Sequence, residues 1–187
     1  MKALQQQQQV LDDRIHKLLG VTEKDTMEKR ITALSVEIAE LANEVRFFKY
    51  WSVKKPTAER VSDEAADVLH FIFSLANTTS VELQIPAEKD LMSEESYDYL
   101  FLSMQKCCYV MLDNVRQKSH TRARLDWTDE GRKDYEVLLD RSFRKQLQEV
   151  YKKLTQICHR FGLSLPDLWA AYEIKNTENH ERQNNGY

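Results

Sequence analysis

Glycine and proline are scarce in this chain, with 4 Gly and 3 Pro among 187 residues. An all-β sandwich or barrel needs a turn roughly every 8–12 residues, and a phosphate-cradling loop needs glycines close together. The sequence supplies neither, which excludes a sandwich, a Walker-type loop and a dinucleotide-binding βαβ unit. Cysteine is equally sparse. Cys107 and Cys108 are adjacent, Cys158 stands alone, and the odd count leaves a thiol unpaired, so no disulfide framework follows. No CxxC pair offers a zinc site. Apolar runs fall far short of the roughly 20 residues of a membrane span, and the N-terminus is polar and Gln-rich rather than leader-like. A cytoplasmic, reduced protein with no membrane contact is the expectation.

An excess of one charge is also missing. Acidic and basic residues number 30 and 27, for a net charge of −3. The balance conceals an asymmetry: residues 114–160 carry 12 Lys/Arg against 7 Asp/Glu. Aromatics are not interleaved with those cations as a nucleic-acid stacking platform requires, so solvated helix faces are expected and a nucleic-acid partner is not.

What the chain does have is helical periodicity. With 42% hydrophobic and 30% charged residues, it reads as one all-α domain over residues 1–187, a compact bundle of about six helices. Met1 to Leu19 forms a first helix closed by Gly20. Asp25, with Glu28 three residues on, is read as the N-cap of a second helix reaching Trp51. Its positions Ile31, Leu34, Ile38, Leu41 and Val45 make one buried stripe. A third helix over 62–79 is apolar on too wide a face for a surface helix. Residues 80–93 read as a connecting loop, further helices fit 94–118 and 129–160 around a polar stretch from His120 to Trp127, and Ser164 opens a last helix. The tail over 181–187 is predicted to lose helical order and become mobile.

Acids beside the core stripe carry the chemistry. The second helix holds Glu37-x-x-Glu40 and the third Glu64-x-x-Asp67. Residues three apart share a helix face with Cβ atoms about 5–6 Å apart, and like charges there are costly once partly buried. Four carboxylates on two packed helices make an all-oxygen site suited to Mg²⁺ or Mn²⁺; salt-bridged or solvated acids are the alternative from spacing alone. Lys175, Asn179 and Arg182 fall on one stripe and suit phosphate oxygens, or form an ordinary basic helix end. Phe47-Phe48-Lys49-Tyr50-Trp51 reads mainly as packing at a helix end.

The stretch from Ser35 to Trp51, followed by Asp63-Glu64-Ala-Ala-Asp67-Val-Leu-His70-Phe71 and, at the end, Lys175-Asn176-Thr-Glu-Asn179-His-Glu-Arg182-Gln183-Asn-Asn-Gly186-Tyr187, resembles the dimeric all-α dUTPases. These belong to the MazG-like all-α NTP pyrophosphatase superfamily. The segment from Leu4 to Ile15 is similar to their base-reading helix. The resemblance implies Mg²⁺-dependent hydrolysis of dUTP to dUMP and pyrophosphate, use of dUDP, and a homodimer. It implies Glu37, Glu40, Glu64 and Asp67 as metal ligands, with Glu40, then Glu37, as the carboxylate activating water. Lys175, Asn179 and Arg182 would grip phosphates, with Lys49 and Trp51 as further contacts. His70 and Phe71 would lie at the sugar, Phe71 crowding a ribose 2′-hydroxyl. Gln8 or Gln9 with Asp12 would read the base, Gln8 being preferred because its amide donates and accepts.

Three rivals remain. A pyrophosphatase for another nucleotide such as dCTP shares the carboxylates. A di-iron carboxylate bundle would have to use Asp13-x-x-His16 and Asp67-x-x-His70, with Asp in place of Glu. A helical protein binding a regulatory partner would present residues 94–160, a region outside every motif.

Overall fold

The structure is a computed structural model, describing residues 1–123 and 128–185, the side chains of 122 and 123 aside. It is 80% helical, and among the described residues there are seven helices and no strand. They are α1 (Lys2–Leu19), α2 (Glu23–Val45), α3 (Ala58–Thr78), α4 (Glu88–Leu91), α5 (Tyr97–Ala123), α6 (Asp129–Arg160) and α7 (Leu165–Asn184). The seventh beyond the expected six is α4, a single turn inside the 80–93 connection.

Local chemistry sets most boundaries. Gly20 (φ 64°) and Gly162 (φ 72°) adopt the left-handed conformation just past α1 and α6, where a Cβ would be strained. Ser164 caps α7 in a reciprocal box with Asp167, behind Pro166 in the first turn. The start of α2 differs from expectation. Thr22 is the N-cap and Asp25 its N3 partner, completing a capping box that begins the helix earlier.

The end of α2 differs more. The helix stops at Val45, because Arg46 takes a left-handed φ of 62°. Its guanidinium then reaches forward, donating to Ser52 Oγ at 2.6 Å and the Lys54 carbonyl at 3.1 Å. Phe47 turns inward and stacks on Phe101, with ring centroids 4.9 Å apart. Lys49, Tyr50 and Trp51 therefore lie on a turn rather than a helix, Tyr50 and Trp51 exposed. Helix-end packing holds for Phe47 alone in that full sense.

Helix α3 is the axis of the bundle, packed by α1, α2, α6 and α7. Eleven of its residues are buried, from Val61 to Ala76, which is why its apolar side is so wide. Leu34, Ile38 and Leu41 of α2 are wholly buried against it, each contributing roughly 1.5–3 kcal/mol of transfer free energy. Helices α5 and α6 pair as a long hairpin that also rests on α2 and α3.

Contrary to expectation, α7 stays helical through Asn184. Arg14 of α1 donates to Asn184 Oδ1 at 2.6 Å and lies 3.5 Å from the His180 carbonyl, tying the end of α7 to α1. Gly186 and Tyr187, and the stretch 124–127 that includes Trp127, lie outside the described residues. No described helix is long and apolar enough to cross a membrane.

Candidate active site

The α2–α3 packing brings the two acidic pairs face to face. Glu37, Glu40 and Glu64 each offer one carboxylate oxygen, all within 4.8 Å of one another. Crowding and burial act on protonation. Burial, then the charges of Asp67, Glu40 and Glu64, push Glu37 up to about 7. Burial and the charges of Asp67 and Glu40 likewise raise Glu64. Three oxygens that close, with a half-buried member held partly protonated, form a donor set that a hard divalent cation fits.

Asp67, the fourth expected ligand, is engaged otherwise. Lys175 of α7 places its ammonium 2.9 Å from Asp67 Oδ2 and 3.1 Å from Asp63 Oδ1. Burial raises Asp67 even so. On Lys175 burial opposes the charge, but the hydrogen bonds to Asp67 and Asp63 outweigh it and raise the group. Glu44, beyond the pairs, meets Arg60 at 3.7 Å.

Glu37 and Asp67 also line a cavity of about 480 Å³ enclosed by α1, α2, α3 and α7. That volume suits a small organic ligand. The cavity collects Gln8 and Asp12 from α1, His70 and Phe71 from α3, and Asn179 and Arg182 from α7. Arg182 donates to Asn179 Oδ1 at 3.3 Å, so the expected phosphate pair sits together on one wall. A larger cavity, about 1100 Å³, lies among α2, α5 and α6. It holds none of the expected site residues, and volume alone does not make a site.

Helical acid pairs on α2 and α3, a cavity lined by Glu37 and Asp67 of those pairs, and an α7 wall of Asn179 and Arg182 thus lie together. The dUTPase family model matches residues 1–187, the whole chain. The chain belongs to the all-α dUTPase family. It is a hydrolase of dUTP, a nucleoside triphosphate diphosphatase. No curated protein matches it significantly. This family is generally dependent on a divalent metal.

In this dUTPase family member, one side of the 480 Å³ cavity is a connected polar network. His70 is buried, and burial with the nearby charge of Lys175 lowers its pKa to about 3, so the ring is neutral. The Asp12 carboxylate takes the Gln8 amide N–H at 2.9 Å, which orients the amide. Gln8 Oε1 then accepts from His70 Nδ1 at 2.7 Å and lies 3.1 Å from the Tyr172 hydroxyl. His70 Nε2 is left as a buried acceptor without a partner. Gln8 is thus committed within the protein, not a free amide. Gln9 is not among the cavity-lining residues, donating instead to Asp13 and Glu23. Lys49 and Trp51 line neither cavity; Lys49 donates to the Asn43 carbonyl at 3.1 Å.

Neither histidine of the di-iron alternative joins the carboxylates, since His16 pairs with Thr26 and His70 with Gln8. Sequence reasoning missed Arg30, Ser74 and Tyr172. Arg30 stands on the stripe of Leu34, Glu37 and Leu41, and Ser74 on that of Asp67, His70 and Phe71. A charged residue on an otherwise buried stripe was the available signal.

Proposed function

We propose that the 480 Å³ cavity binds dUTP and that Glu37, Glu40, Glu64 and Asp67 hold Mg²⁺, with Mn²⁺ as a substitute. The observation that carries this is the opening of the cavity onto the carboxylate group through Glu37 and Asp67. When bound, the metal neutralises charge developing on the phosphate oxygens. Glu40, exposed and close to Glu37 and Glu64, orients the attacking water and takes its proton, with Glu37 second. Asn179 and Arg182 grip the phosphates, Arg182 as a planar fork, and Lys175 joins them by leaving Asp67. His70 Nε2 accepts from a sugar hydroxyl, while the Phe71 ring leaves no room for a ribose 2′-hydroxyl. Asp12 accepts from the base, steadied by Gln8. Lys49 and Trp51 reach the nucleotide only if the turn after Arg46 moves, and Gln9 has its amide committed elsewhere.

We also propose a cytoplasmic homodimer of the MazG-like type. Three free, buried thiols suit a reducing compartment. Tyr99, Leu102 and Tyr109 form an exposed apolar face on α5 that a second copy would cover.

The test is pyrophosphate release from dUTP, dUDP, dCTP, dTTP and UTP, each with Mg²⁺ and with EDTA. Preference for dUTP and loss of turnover in EDTA are expected. Turnover untouched by EDTA overturns the metal assignment, and equal rates across bases overturn the pocket assignment.

A further inference from the structure

Arg30 is a buried cation on α2, 7% exposed, and most of its guanidinium is spent on fixing itself. Nη1 donates to Thr78 Oγ1 at 2.7 Å and Ser74 Oγ at 3.0 Å, and Nη2 to the Glu23 carbonyl at 2.7 Å. Nε is the one guanidinium nitrogen left buried with no hydrogen-bond partner. A buried donor left unpaired is costly, and native structures satisfy nearly all of them. Arg30 lines the 480 Å³ cavity, and Asp12 lines it as well.

Asp12 is equally buried, at 7% exposed. One of its oxygens takes the Gln8 amide; burial raises its carboxyl, opposed by the nearby Ser74 hydroxyl, the Gln8 amide and the charge of Arg30. No ion pair joins Asp12 to Arg30 among the described residues, although the two charges attract across the space between them. Arg30 and Asp12 thus bring a hydrogen-bond donor and an acceptor to the lining of one cavity. A neutral ring carrying a carbonyl next to an N–H matches that arrangement.

We propose that Arg30 is a specificity-determining residue whose Nε–H donates to O4 of the uracil ring while Asp12 accepts from N3–H. Cytosine in the same pose sets its 4-amino group against Arg30 and a bare N3 lone pair against Asp12. Both contacts are then repulsive, and a site built from buried polar groups rejects such an analogue strongly. The inference rests on the reading of this cavity as the nucleotide site.

The test compares kcat/KM for dUTP and dCTP in the parent and in Arg30→Lys. Lysine keeps the charge and reaches Ser74 or Thr78, but has no Nε–H. The dUTP:dCTP ratio is expected to fall roughly 5- to 150-fold, with the thermal transition retained. A ratio within twofold of the parent overturns the inference. Should Arg30→Lys not fold, the parent is assayed on 4-thio-dUTP, whose sulfur is a poor acceptor. A drop in kcat/KM against dUTP supports the O4 contact, and equal efficiency overturns it. A parent enzyme that treats dUTP and dCTP alike overturns the pocket reading itself and this inference with it. A selective parent with an unchanged Arg30→Lys ratio overturns this inference alone.

Discussion

Lys175 Nζ lies 2.9 Å from Asp67 Oδ2, so a residue expected to bind phosphate instead neutralises a residue expected to bind metal. The pair joins α7 to α3 across 108 residues of sequence. It shows how the acids coexist without a cation: one is matched by the protein's own ammonium, while burial and neighbouring charge raise Glu37 and Glu64 toward the protonated form.

Replacing Lys175 by Gln should therefore separate two affinities. Without nucleotide, Mn²⁺ should bind more tightly, because no ammonium competes for Asp67. Nucleotide should bind more weakly, because a phosphate contact is gone. Isothermal titration of Mn²⁺ into parent and variant decides it; identical affinities would show that the ammonium does not compete.

Glu37 gives a stability dependence on pH. Its folded pKa of about 7 lies above its ordinary value of 4.5. Between those values the folded state holds a proton that the unfolded state has released. Stability in EDTA should then be greatest below pH 4.5, fall as pH rises to about 7, and level off beyond, as far as this group is concerned. Glu37→Gln should stabilise the metal-free protein at pH 8 by about 1–2 kcal/mol, the exposed half of the side chain being screened. Thermal unfolding at pH 5 and pH 8 checks this, and a variant no more stable than the parent at pH 8 would contradict it.

Glu40→Gln should lower kcat for dUTP at least about 10²-fold, the lower bound for a lost general base. Glu40 is exposed and helical, so the melting temperature should stay nearly unchanged. A variant that turns over dUTP at the parental rate would remove Glu40 from the water-activating role.

Arg14→Ala should loosen the end of α7, since Arg14 holds Asn184 at 2.6 Å. Amide exchange over 180–185 should quicken. KM for dUTP should rise several-fold through Arg182, with kcat less affected. Unchanged exchange protection would show that α7 does not need this tie.

The helices were legible because their causes are local. Gly20 and Gly162 at positive φ, and Ser164 with Asp167, needed no knowledge of the fold. The early start of α2 was legible too, had Thr22-x-x-Asp25 been weighed against Asp25-x-x-Glu28. Its end at Val45 was not. Nothing in the run from Val45 to Trp51 forbids a helix; the stacking of Phe47 on Phe101 and the reach of Arg46 to Ser52 and Lys54 end it. Both depend on where α5 and the following turn lie.

The candidate site divides in the same way. Sequence alone determined that Glu37 and Glu40, and Glu64 and Asp67, share helix faces, because a spacing of three residues fixes that in any α-helix. It also determined that no clustered glycines are available for a phosphate-cradling loop. Tertiary packing decided which partners those groups meet. It gave Asp67 to Lys175, enclosed Gln8 within the Asp12–His70–Tyr172 network, kept Gln9 and Trp51 out of the cavity lining, and brought Arg30 and Asp12 into it. The reason is that electrostatic and hydrogen-bond partners are chosen by distance in space, and only the packing of α1, α2 and α7 around α3 fixes those distances.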